Sequence, residues 1–162
     1  MKNLRLAAVG AVGALAASAG LLFPGSAQAA TTYWQFQNAN YLTCLTAGDT
    51  GTAFATSCVG SYRQQWDFVG DGTYKRLVNR ETGTCLASDN ETDTNAVWTS
   101  TCTGDFGQLW KYDTATGYIV DDIGERYEGH LRTSTVPNAV YATDHPQTGI
   151  PEDDFGWYGT HD

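Results

Sequence analysis

The sequence predicts an all-β domain in which one unit of short antiparallel hairpins is written three times and closed into a barrel. Three observations carry this expectation. Residues 31–162 hold 22 Thr against six Leu and two Lys, and the sole Met is the initiator, so helix formers are scarce and β-branched residues abundant. Cys, Asn, Gln and Trp landmarks recur in one order. Turn residues punctuate the apolar runs at Gly48-Asp49, Gly70-Asp71-Gly72, Thr82-Gly83, Thr103-Gly104 and Thr116-Gly117.

Residues 1–30 stand apart from this pattern. Lys2 and Arg5 open the chain, an uncharged Ala/Gly/Leu run follows from Leu6 to Phe23, and Ala27-Gln28-Ala29 has the small-x-small form of a secretory cleavage site. We expect a signal peptide cut after Ala29 or Ala30, releasing an extracellular protein. A retained anchor is the competing reading, although the apolar run barely reaches the length of a span. The remainder, 31–162, is expected to be one domain with seven Lys and Arg against 18 Asp and Glu, a formal net charge of -11. Such a field repels phosphate backbones and acidic membrane surfaces, so nucleic acid and membrane are excluded as partners.

The first unit reads Asn38, then Cys44-Leu45, an aromatic at Phe54, Cys58, and Gln64-Gln65-Trp66. The second repeats it as Asn79, Cys85-Leu86, Trp98, Cys102 and Gln108-Leu109-Trp110. In both, Asn precedes the first Cys by six residues and the aromatic precedes the second by four. Trp66 and Trp110 are 44 residues apart, and Trp157 follows 47 later, which implies a third unit. That unit is degraded. Gly117–Asp121 opens it, Asn138-Ala139-Val140-Tyr141 echoes Asn95-Ala96-Val97-Trp98, Phe155 takes the Gln place, and it has no cysteine. Units this short bury an apolar face only by packing around a shared centre, and a closed barrel leaves no free edges. Trp66, Trp110 and Trp157 are then equivalent core residues.

Four cysteines admit three pairings. The repeat selects Cys44 with Cys58 and Cys85 with Cys102, each within one unit, and each short loop stabilises by about 3 kcal/mol in the chain-entropy model. A zinc site is the competing reading, but spacings of 14 and 17 lack close ligand pairs. No cofactor is implied.

The run Thr82-Gly83-Thr84-Cys85-Leu86, then Cys102, then Gln108-Leu109-Trp110 resembles the ricin B-type lectin family, β-trefoils marked by Gln-x-Trp repeats. The resemblance is strong over 33–112 and weak over 113–162. It implies a β-trefoil of six hairpins with lobes at about 33–70, 71–113 and 114–162. The Gln of each motif, Gln64 and Gln108, would tie down backbone while the Trp fills the core. The resemblance further implies binding of galactose-type or related sugars in shallow pockets, one per lobe, without catalysis.

The family's pockets use an Asp two residues after the first Cys, an aromatic two before the second, and an Asn just before the motif Gln. A carboxylate accepts hydrogen bonds from vicinal hydroxyls, and a flat ring covers the apolar C–H face of a sugar. Here those places read Thr46, Thr56 and Arg63 in lobe one, and Ala87, Ser100 and Gly107 in lobe two; Arg132 takes the acid's place in lobe three. A displaced platform is therefore considered on the recurring aromatics: Trp98 with Asp89 and Asn95 foremost, Phe54 with Asp49, and Tyr141 with Asp144. The competing reading is that these rings pack inside the fold.

Catalytic chemistry finds little support. The carboxylate pairs Asp121-Asp122 and Asp153-Asp154 read as solvated acidic loops, and His130, His145 and His161 lie in the irregular lobe without a nucleophile turn. Asn90-Glu91-Thr92 fits a short glycosylation sequon. Two functional readings result. One is a secreted carbohydrate-binding module; the other is a trefoil that has lost its sugar site and grips a protein, such as a secreted protease, through loops that include the insertion at 144–154.

Overall fold

The computed structural model describes residues 31–89, 91–122, 128–136, 138–144 and 148–162. The expected signal, Asn90, His145 and Pro146 lie outside the described residues. Among those described there are twelve strands and no α-helix. Lobe one contains β1 (Trp34–Asn38), β2 (Thr43–Ala47), β3 (Ala53–Ser57) and β4 (Trp66–Val69). Lobe two contains β5 (Lys75–Asn79), β6 (Cys85–Ser88), β7 (Thr94–Ser100) and β8 (Leu109–Asp113), and lobe three β9 (Tyr118–Asp121), β10 (Gly129–Thr133), β11 (Val140–Asp144) and β12 (Trp157–His161).

The first and last strand of each lobe build the barrel. β1 pairs β4, β4 pairs β5, β5 pairs β8, β8 pairs β9, and β12 returns to β1. The Trp157 amide donates to the Gly117 carbonyl at 2.8 Å and joins β12 to the start of β9. The hairpins β2–β3, β6–β7 and β10–β11 form a cap over one end: β7 pairs β11, Thr99 donates to Gly51 O at 2.9 Å, and Ala55 donates to Asn138 O at 3.0 Å. A barrel with a three-hairpin cap is the β-trefoil, and it leaves little sheet edge unpaired.

Why the tryptophans recur is visible in the interior. Trp66, Trp110 and Trp157 are all but inaccessible, and their indole Nε1 atoms donate to the carbonyls of Leu45, Leu86 and Leu131 at 3.1, 3.0 and 2.8 Å. Each ring thus fills the core and fastens barrel to cap with one bond. Phe36, Leu77 and Ile119 complete the layer from the first strand of each lobe. Both disulfides pair as the repeat indicates, Cys44 with Cys58 and Cys85 with Cys102.

Each motif Gln anchors the loop before it. Gln64 Oε1 accepts the Val59 and Gly60 amides at 2.8 and 3.1 Å while Nε2 donates to Ser57 O at 2.9 Å. Gln108 does the same with Thr103, Gly104 and Thr101 O at 2.8, 3.1 and 2.9 Å. In lobe three the buried ring of Phe155 replaces these bonds with packing. The Asn that recurs in the first two lobes bridges to a neighbouring lobe: Asn38 Nδ2 donates to Asp154 O and Gly156 O, and Asn79 Nδ2 to Arg63 O and Gln65 O.

That bridge corrects one expectation. Asp121 is not in a solvated loop; it ends β9 with no exposed surface, stands two residues past Ile119 as Asn38 and Asn79 stand past Phe36 and Leu77, and accepts the Gly129 amide at 2.9 Å. Asp154 is likewise buried and accepts from Asn40 Nδ2 at 2.6 Å.

Candidate functional site

Cross-strand register builds the same corner in every lobe. Thr46 lies opposite Phe54, Ala87 opposite Trp98, and Arg132 opposite Tyr141. The residue before the motif Gln position, Arg63, Gly107 or Asp154, closes each corner from the side. The three aromatics are half-buried and lie outside the cluster of buried core residues, so their recurrence reflects a place in the cap wall and not in the interior.

What fills each corner differs. In lobe one the Arg63 side chain crosses it, ion-paired to Asp49, 3.0 Å from Glu81 Oε1 and donating to Ala47 O at 3.4 Å. Thr46 Oγ1 is turned inward, donating to Cys44 O at 2.8 Å. In lobe three Arg132 occupies the corner: Nε donates to Thr143 Oγ1 at 2.8 Å, Nη1 to Thr133 O at 3.0 Å, and the guanidinium lies 4.9 Å from the centre of the Tyr141 ring. Burial pulls Arg132 below the ordinary guanidinium range, opposed by the Asp154 charge, and a guanidinium stays ionised regardless.

Lobe two has neither arginine. Ala87 and Gly107 project almost nothing, and a cleft of about 430 Å³ opens against Trp98. Gly107 is required there, since a Cβ would sit 2.0 Å from Ser88 O. The polar wall comes from Ser88, Ser100, Thr103 and Asp105. Ser88 Oγ is buried without a hydrogen-bond partner among the described residues, whereas Asp105 is exposed and accepts from Thr103 Oγ1 at 2.7 Å. Phe106, 67% exposed, stands on the same loop.

The sequence-proposed partners are distributed otherwise. Asn95 is buried, its Oδ1 accepting the Thr92 amide at 2.7 Å and its Nδ2 donating to Thr92 O at 2.6 Å, so it closes a turn and does not line the cleft. Asp89 is exposed beyond the end of β6 and is not in the lining. Asp49 faces Arg63, and Asp144 pairs in β11, its amide donating to Asp93 O at 3.1 Å. Asp105 was missed because it precedes the motif Gln by three residues, a place that only folding carries beside Trp98.

Fold and corner together define a β-trefoil of the lectin type. The chain belongs to the ricin-type beta-trefoil lectin domain family, which matches residues 28–123 and so covers the two intact repeats and the start of the degraded one. Among solved structures it is similar to the designed threefold-symmetric protein ThreeFoil, with 23% identity and TM-score 0.64 over 79% of this chain and 97% of that one. It is similar to the ricin B-like lectin of Macrolepiota procera solved with lactose, at 16% identity and TM-score 0.61 over 82% of this chain and 97% of that one. An exo-β-1,3-galactanase of Clostridium thermocellum aligns at 22% identity and TM-score 0.63 over 82% of this chain, which spans 30% of the galactanase. No curated protein matches the chain in sequence.

Proposed function

We propose that this protein is a secreted, non-catalytic lectin that takes one sugar unit in the lobe-two cleft. The ring of Trp98 covers the apolar face of the sugar, and Thr103 and Asp105 supply hydroxyl and carboxylate partners. The observation that carries this reading is the contrast between lobes: arginines fill the first and third corners, whereas Ala87 and Gly107 leave the second open beside an aromatic. Asp105 takes over the acceptor role of the family's missing Asp from the opposite wall. The absence of catalysis rests on the carboxylate pairs, each of which has one buried, hydrogen-bonded member and so does not flank a cleft as two acids.

The test is a titration of galactose, lactose, mannose, xylan and chitin fragments followed by two-dimensional NMR. Saturable shifts of the Trp98 indole are expected for one neutral sugar, with affinity falling at least about tenfold in Trp98→Ala and in Asp105→Asn. Silence across the panel would overturn the proposal in favour of a trefoil that grips a protein.

A further inference from the structure

We propose that the barrel end opposite the cap is a second binding site, for a saccharide carrying a carboxylate, such as a uronic acid unit. The argument begins with a break in the threefold pattern. The positions paired with the core tryptophans on the neighbouring first strand of each lobe are Trp34 in lobe one, Lys75 in lobe two and Gly117 in lobe three. Two residues beyond each tryptophan stand Phe68, Tyr112 and Gly159. Lobe three thus contributes two glycines where the others contribute three rings and a lysine.

The rings use the vacated space. A Cβ on Gly159 would come within 2.7 Å of the Tyr112 ring and 3.0 Å of the Trp34 ring, so both lean across β12. Tyr112 is fixed there, its hydroxyl donating to Trp157 O at 3.0 Å and accepting the Gly159 amide at 2.9 Å. Between these rings, Phe68 and the β4–β5 side lies a cleft of about 610 Å³, within the size range of small-molecule sites. A neighbouring cleft of about 910 Å³ shares Trp34, Phe68 and Lys75 but also carries Asp67 and Asp71, so the acidic unit is assigned to the smaller cleft.

Charge selects the ligand. Residues 31–162 contain two lysines in a domain of net charge -11, and both line the smaller cleft with one carboxylate, Asp113. Lys111 is held by the Tyr74 hydroxyl at 2.8 Å and by Glu128 at 3.3 Å. The Lys75 ammonium makes no hydrogen bond or ion pair among the described residues, although the field of Asp67 reaches it. A neutral sugar would find the rings sufficient. A polyanion the size of a nucleic acid would meet the acidic surface beyond the cleft. An acidic sugar matches both features, its C–H face on the rings and its carboxylate between the two ammonium groups.

This site is independent of the lobe-two reading, and the experiment separates them. The whole protein is titrated with tri-galacturonate and with neutral galactotriose while the Trp34 and Trp98 indole signals are followed. Tri-galacturonate is expected to shift Trp34 saturably, to bind at least about tenfold more weakly in Lys75→Gln, to recover within a few-fold in Lys75→Arg, and to weaken as salt is raised. Trp98→Ala should leave that titration unchanged. Equal shifts of Trp34 by galactotriose, undiminished binding in Lys75→Gln, or no response to tri-galacturonate would each overturn the proposal, whatever happens at Trp98.

Discussion

Replacing Trp110 with Ala measures how much of the stability a single lobe centre carries. The side chain has no exposed surface, and its Nε1 supplies the 3.0 Å bond to Leu86 O. A buried indole removes roughly 150–250 Å² from water, which at about 25 cal/mol per Å² is worth about 4–6 kcal/mol. Comparable truncations cost about 3–5 kcal/mol, and the Leu86 carbonyl, left without its donor, adds about 1–3 kcal/mol. A domain of this kind holds roughly 5–15 kcal/mol in total. Trp110→Ala is therefore expected to lose at least about 4 kcal/mol. Trp110→Phe, which keeps most of the apolar area and loses the bond, should lose about 2 kcal/mol. Urea unfolding followed by far-ultraviolet circular dichroism gives both values, provided the denaturant slope is unchanged. Because Trp66 and Trp157 have the same burial and an equivalent bond, their Ala variants should agree with it within about 1 kcal/mol. A loss below about 1 kcal/mol at Trp110 would refute the assignment of these rings as lobe centres.

Two further outcomes are expected. Gln108→Met removes the bonds to the Thr103 and Gly104 amides and should cost about 2–3 kcal/mol, with hydrogen exchange accelerating first at those two amides; unchanged exchange would show that the neighbouring disulfide holds the loop unaided. Burial raises the Asp67 carboxyl above its ordinary value, against the Phe68 amide and the Lys75 charge. A carboxyl raised on folding stabilises below its unfolded pKa and loses that contribution as pH rises through the folded value. Asp67→Asn should therefore be more stable than the parent at neutral pH, by less than about 1 kcal/mol because solvent screens the group, with the gain vanishing below about pH 4; equal melting temperatures at both pH values would contradict this.

The architecture was readable because each landmark satisfies two demands at once. Trp66, Trp110 and Trp157 must both fill the core and reach a Leu carbonyl, and Gln64 and Gln108 must meet two amides and a carbonyl, so few substitutes exist and the pattern survives in the sequence. Asp121 reads from the sequence as part of a solvated acidic pair for a related reason. Asn38 and Asn79 stand six residues before a cysteine, whereas in lobe three the matching place, His130, comes nine residues after Asp121 and is no cysteine, so the sequence alone does not align that position. The corner residues were legible only in part. Trp98 was marked by its recurrence, but Asn95 closes its own turn with Thr92, and the open space depends on Ala87 and Gly107, which signal by what they lack. Trp34 and Phe68 come together only through barrel closure, which no local spacing reports.

The pairing of β1 with β12 runs from Trp34 opposite His161 to Asn38 opposite Trp157, and the Tyr33 amide reaches Asp162 Oδ1 across 129 residues of chain. The ring cannot shut until β12 is available, so a nascent chain must extend past His161 before the seam forms. Such distant pairing slows folding through the entropy of bringing the ends together. If the seam forms after the rate-limiting step, its contacts act chiefly on unfolding, and the molecule's endurance is a matter of how slowly that seam unlatches.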